Sequence, residues 1–180
     1  MYWTAMRYVW ASEGGTDGSH PYYDRTTMEK DGLNLGMYSI GKKWGNLKTY
    51  VKHYYAEPDA NPAFVEKWKQ LESRGFPDKE AMELWKETYR GDMKPFCHAQ
   101  WTEFWDYVGR KACDAFVSGG YTSVFALMII IELGNWRPGW IIPCCGSNPA
   151  NGDEKTGLLN ICACIKTKNK GDGSALKKMR

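Results

Sequence analysis

The stretch Trp10–Asp17, WASEGGTD, followed by Glu29–Gly36, EKDGLNLG, decides how this chain is read. Upstream of it Met6, Val9 and Trp10 recur at helical spacing, which predicts a helix over residues 2–13. Gly14 and Gly15 stop that helix directly after Glu13. Residues 14–43 are rich in Gly, Asp, Ser and Thr and hold short alternating pieces such as LGMYSIG, the pattern of loops and a small hairpin. The first helix therefore ends on an acid, Glu13, and a second acid, Asp31, falls in the turn-rich region beyond it.

The rest of the chain reads as helix. Leu47–Tyr55 forms an amphipathic piece. Asn61-Pro62 supplies an N-cap and a proline at the first helical position for a helix running to Ser73 and stopped by Gly75. Pro77-Asp78 opens KEAMELWKETY, and Pro95 opens one long pattern that Gly119-Gly120 terminates. Val124–Leu133, VFALMIIIEL, reads as a fully buried helix; it is too short for a bilayer, which takes about 20 residues. After Gly134 the prolines at 138, 143 and 149 predict irregular chain until about Asp153.

A length of 180 residues suits one domain with a proper core. The net charge of +3 is unevenly placed: from Lys166 onward five Lys and one Arg face one Asp, a net +5, which leaves −2 for the body. Residues 166–180 thus read as a basic, flexible C-terminal tail, and the body has no basic face of the kind nucleic-acid binding requires. The N-terminus lacks a secretory signal pattern, so a soluble protein is expected, either cytoplasmic or exported by a non-signal route, with a viral origin as one option, no membrane partner and a monomeric state. Nine Trp and eleven Tyr build cores, and they also furnish flat platforms for sugars.

Six cysteines are present, four of them as CC (Cys144, Cys145) and CAC (Cys162, Cys164). Neither pair has the two-residue gap of zinc knuckles, so disulfides or buried thiols are expected, the choice between them open, with no metal and no cofactor. His98 beside Cys97 is a conceivable nucleophile pair, but adjacent helical residues point apart, which favours a structural role.

Glycoside hydrolysis needs one protonated carboxyl for the leaving oxygen and a second carboxylate for water or the sugar. Glu13, three residues after Trp10, gains apolar neighbours that favour the protonated form; Asp31, in a Gly-flanked polar turn, stays ionised. Acids at helix ends and turns are common, and Asp17 and Asp24 are comparable by spacing alone.

Three further stretches single out Glu13 and Asp31. Gly36–Tyr54, GMYSIGKKWGNLKTYVKHY, ending in V-x-H-Y, resembles the chitosanases of glycoside hydrolase family 46, as do CDAFVSGG from Cys113 and GDEKTGLL from Gly152. The resemblance covers roughly residues 10–160 in the same order. It implies a mainly α (α+β) fold, a lysozyme-like helical body with a small β-hairpin lobe forming a cleft, over residues 1–165. It also implies an endo-acting, inverting hydrolase of β-1,4-linked amino-sugar polysaccharide, with Glu13 the general acid and Asp31 the general base. Asn34 stands in for the family's water-positioning threonine, Trp44 is placed to stack on a sugar, and Asn46 replaces an amine-recognising Asp. Asp114 matches an Asp that pairs with arginines behind the acid, yet one arginine position holds Ile165 and the chain ends before the other. The alternatives are a phage-type endolysin hydrolysing peptidoglycan, suited to Asn46 and a cationic tail, and a non-catalytic carbohydrate-binding or virion structural protein.

Overall fold

The computed structural model describes residues 2–14, 22–30, 32–136, 139, 144–145 and 149–168; the side chains of Tyr2, Trp3, Val9, Ser12, Glu13, Gly14, Trp136 and Lys168 lie outside that description. The chain is mainly helical with one small antiparallel sheet, and its contacts gather into two compact units, Arg7–Asp106 and a second formed by Met1–Met6 with Tyr107–Arg180.

Helix α1 (Tyr2–Gly14) ends at the predicted glycine. Strands β1 (Thr26–Glu29), β2 (Gly32–Leu35) and β3 (Ile40–Gly41) follow in the order β1-β2-β3, with Glu29 opposite Gly32 and Asn34 opposite Gly41. Along β2 burial alternates, Leu33 and Leu35 facing the core, as a period of two requires. Then come α2 (Asn46–Ala56), α3 (Pro62–Ser73), α4 (Asp78–Gly91) and α5 (Met93–Phe104). The α3 start is the predicted one: the Asn61 side chain accepts from the Ala63 N–H at 3.0 Å, with Pro62 behind it.

The core of this unit is aromatic. Tyr50 on α2, Trp68 on α3, Trp85 on α4 and Phe96 on α5 are fully buried and meet at tilted or edge-to-face angles, Tyr50–Trp85 at 4.6 Å and Trp85–Phe96 at 4.7 Å between ring centres. The indole N–H groups are satisfied, Trp68 donating to the Thr88 hydroxyl at 3.1 Å and Trp85 to the Tyr23 carbonyl at 2.7 Å. Of the helical tryptophans expected in the core, Trp68 and Trp85 are buried, Trp101 is half-buried and Trp105 is exposed.

Two helical expectations are corrected. The long pattern after Pro95 stays helical to Ser118 but is not α-helical throughout: α5 passes into a π-helical turn, Trp105–Gly109, before α6 (Arg110–Ser118). Helix α7 (Val124–Trp136) is not buried all round, because Phe125 is 59% exposed while Ala126, Ile130 and Ile131 are fully buried. Among the described residues no helix is long and apolar enough to cross a membrane.

In the second unit α6 packs on α7, and α8 (Glu154–Lys168) carries the first residues of the predicted tail as helix; residues 169–180 lie outside the description. A Cys144–Cys164 disulfide ties the Cys144–Cys145 pair to α8, and Cys97, Cys113, Cys145 and Cys162 are free thiols. Burial pushes the Cys145 thiol up to about 12.

Gly36 shows how tightly the sheet meets the core. Its φ is +73°, and a Cβ there would collide with the Gln100 side chain and stand 2.8 Å from Trp85 Cζ2. Gly36→Ala is therefore expected to cost about 2 kcal/mol or more in urea unfolding, from strain and overpacking together. Gly45→Ala, with φ +84° but open space around it, is expected to cost only about 1 kcal/mol.

Candidate functional site

Strand β3 lacks a side chain at Gly41, and two groups use the room. Asn34 Oδ1 lies 3.3 Å and Trp44 Cδ1 2.9 Å from where a Gly41 Cβ would sit, so the amide and the indole both close on this glycine. Trp44 is 65% exposed, and the Lys43 ammonium stands 4.9 Å from its ring centre. Of the sequence-predicted binding residues, Asn34 and Trp44 are thus brought together as a flat, exposed platform with a polar edge.

Asn46, expected at the amine-recognising position, is buried at the start of α2. It is only 7% exposed, and its Nδ2 donates to Glu103 Oε1 at 3.3 Å. An amide suits this place because it donates to a buried carboxyl, which the family's Asp would repel.

Glu103 itself is the residue the sequence reading missed. It lies on α5 with its side chain 2% exposed. His53 Nε2 of α2 is 3.3 Å from Glu103 Oε2 and 3.8 Å from Asp106 Oδ2, the latter on the π-helical turn. Burial pushes the Glu103 carboxyl up to about 7; the Asn46 hydrogen bond opposes this, Asp106 adds to it, and the Tyr38 hydroxyl opposes it. A signal was present in the sequence: Phe96, Gln100 and Glu103 share one helical face, so Glu103 continues the stripe that α5 buries.

The predicted catalytic pair lies outside what the structure describes. Glu13 is in the last turn of α1 with its side chain outside the description, and Asp31, between β1 and β2 in the chain, is itself outside the described residues. Trp10, one turn before Glu13, is buried and packs edge-on against Trp101 at 5.9 Å.

Other motif residues do structural work. Asp114 is exposed on α6, and Ile165, at the arginine position, is buried in α8. Asp153 caps α8 by accepting from the Thr156 N–H at 3.1 Å, and Glu154 accepts from the backbone N–H groups of Thr122 and Ser123, both at 3.1 Å, where α7 begins. His98 Nδ1 is 2.8 Å from Glu57, while burial lifts the neighbouring Cys97 thiol to about 12, so the two are not a nucleophile pair.

Comparisons with family models, with curated proteins and with solved structures return no match for this chain. The resemblance to the chitosanases rests on the motifs alone.

A carboxyl raised in the folded state contributes stability that is complete below its unfolded value of 4.5 and is lost as pH rises through about 7. Unfolding in urea is expected to show wild type weaker by about 2–3 kcal/mol at pH 8 than at pH 5, relative to the same comparison in Glu103→Gln, whose side chain stays neutral.

Proposed function

We propose that the protein is an endo-acting glycoside hydrolase of the lysozyme superfamily that cleaves β-1,4-linked amino-sugar polysaccharide with inversion. The observation that carries this reading is the exposed Trp44 with Asn34 at its edge. That platform stands on the sheet whose β1–β2 connection includes Asp31, within the unit that also contains Glu13. Stacking on an indole suits a sugar's apolar face, and the Asn34 amide suits a hydroxyl or a water.

Glu13 gives its proton to the glycosidic oxygen as the C–O bond breaks. Asp31 takes a proton from a water whose oxygen attacks the anomeric carbon from the opposite face. In the sequence Trp10 stands three residues before Glu13, an apolar neighbour that favours a protonated acid, and Gly32 follows Asp31 in a polar stretch that favours an ionised base.

Peptidoglycan as the substrate has one specific support. A lysine ammonium beside the Trp44 ring repels the amine of chitosan and tolerates acetylated or lactyl-bearing sugars. The buried Asn46, committed to Glu103, no longer bears on this choice.

Reducing ends released from chitosan and from bacterial cell walls test the proposal. Wild type is expected to act on at least one substrate, and Glu13→Gln and Asp31→Asn to lose roughly 10²–10⁴-fold. Trp44→Ala is expected to raise KM by up to about tenfold with kcat less affected. Oligosaccharide binding without turnover, or full activity in Glu13→Gln, overturns the hydrolase reading.

A further inference from the structure

Glu103 reaches both ends of the segment that carries the platform. Asn46, its hydrogen-bond donor, begins α2, and Tyr38, whose hydroxyl faces the same carboxyl, follows β2. Between them lie β3, Lys43 and Trp44. One buried carboxyl thus holds the Asn46 end of this segment by a hydrogen bond and faces Tyr38 at the other.

Two atoms of the cluster are anomalous. His53 Nε2 and Glu103 Oε2 are buried and have no hydrogen-bond partner among the described residues, yet they lie 3.3 Å apart. Orphan polar atoms are costly in a low-dielectric interior, and here a single proton satisfies both at once.

We propose that His53 and Glu103 are positioning residues for the Trp44 platform, acting through one proton held between His53 Nε2 and Glu103 Oε2. The consequence for sugar binding rests on the reading of Trp44 as a sugar platform; the proton itself does not. The polar groups facing Glu103 among the described residues are Asn46 and His53 from α2, Tyr38 from the β2–β3 turn and Asp106 from the π-helical turn.

With the proton present, the pair is either a neutral acid beside a neutral imidazole or an ion pair, and in both forms the contact is a hydrogen bond. When the proton leaves, a buried carboxylate faces a neutral imidazole, with the Asp106 carboxylate on the imidazole's other side. That charge is relieved by admitting water, which loosens the anchorage of Asn46 and the packing around the Tyr38 hydroxyl. Burial that raises the Glu103 carboxyl toward neutrality places this loss in an accessible pH range.

The test uses the full chain and two readouts. Carbon-13 shifts of the Glu103 carboxyl and nitrogen-15 shifts of the His53 ring are followed against pH. One common midpoint near neutrality is expected; separate midpoints, with Glu103 titrating as an ordinary carboxylate, overturn the shared proton. Amide hydrogen exchange, corrected for its intrinsic pH dependence, is read at Lys42, which donates to the Leu33 carbonyl at 3.0 Å, and at Gly45, which donates to the Lys42 carbonyl at 3.1 Å. Protection is expected to fall roughly tenfold or more above the midpoint in wild type and to stay high in Glu103→Gln. Equal protection at every pH in both proteins overturns the positioning role.

Calorimetric titration with chitin and chitosan oligomers over the same pH range separates this inference from the hydrolase reading. Binding that weakens in parallel with protection supports both. Absence of binding at every pH, with the midpoint and the exchange as expected, removes the sugar platform and leaves the proton-held segment standing. Binding that ignores pH while the segment loosens removes the positioning role.

Discussion

The placement of the sheet depends on two polar side chains that α5 buries. Gln100 is fully buried and both ends of its amide are used: Oε1 accepts from the Met37 N–H at 3.1 Å and Nε2 donates to the Tyr23 carbonyl at 3.0 Å. One turn later Glu103 bonds Asn46. Burying an amide or an acid is unfavourable unless partners meet it in a definite geometry. The penalty for any other arrangement fixes the segments around the sheet against the aromatic core, where hydrophobic burial alone would let them slide. The platform at Trp44 and Asn34 inherits its position from these contacts.

Much of the helical outline is written in local chemistry. Gly14, the Asn61-Pro62 pair, Gly75 and the Gly119-Gly120 pair end or begin elements where capping and backbone freedom say they should. The π-helical turn was not legible, because FCHAQWTEFWDYVGRKACDAFVS keeps apolar residues at helical spacing throughout and contains no proline or glycine before Gly109. A π-turn inserts one residue into a continuous helix and leaves the composition unchanged. The exposure of Phe125 was equally hidden, since an all-apolar helix carries no polar face to mark its outer side.

The candidate site divides in the same way. Trp44 was legible as an exposed aromatic on a turn-rich lobe. Glu103 was not identified, although it lies on the apolar stripe of its helix, because acids on a helix are ordinarily solvated and its partners Asn46 and His53 are some 50 residues away. Several motif residues have complete structural roles: Val51 and Tyr54 fill the core, Asp153 caps α8, and Glu154 holds the start of α7. Their presence is accounted for by folding, so the enzymatic proposal is carried by the Trp44 platform and is to be tested at Glu13 and Asp31.

Those two carboxyl groups must confront each other over bound sugar, and a crystal structure of Glu13→Gln with an amino-sugar oligomer measures this directly. The account predicts the residue-13 amide and the Asp31 carboxylate on either side of one glycosidic oxygen, roughly 6.5–9.5 Å apart, with a sugar ring lying on Trp44. The two side chains on different faces of the molecule, or an oligomer bound away from Trp44, would contradict it.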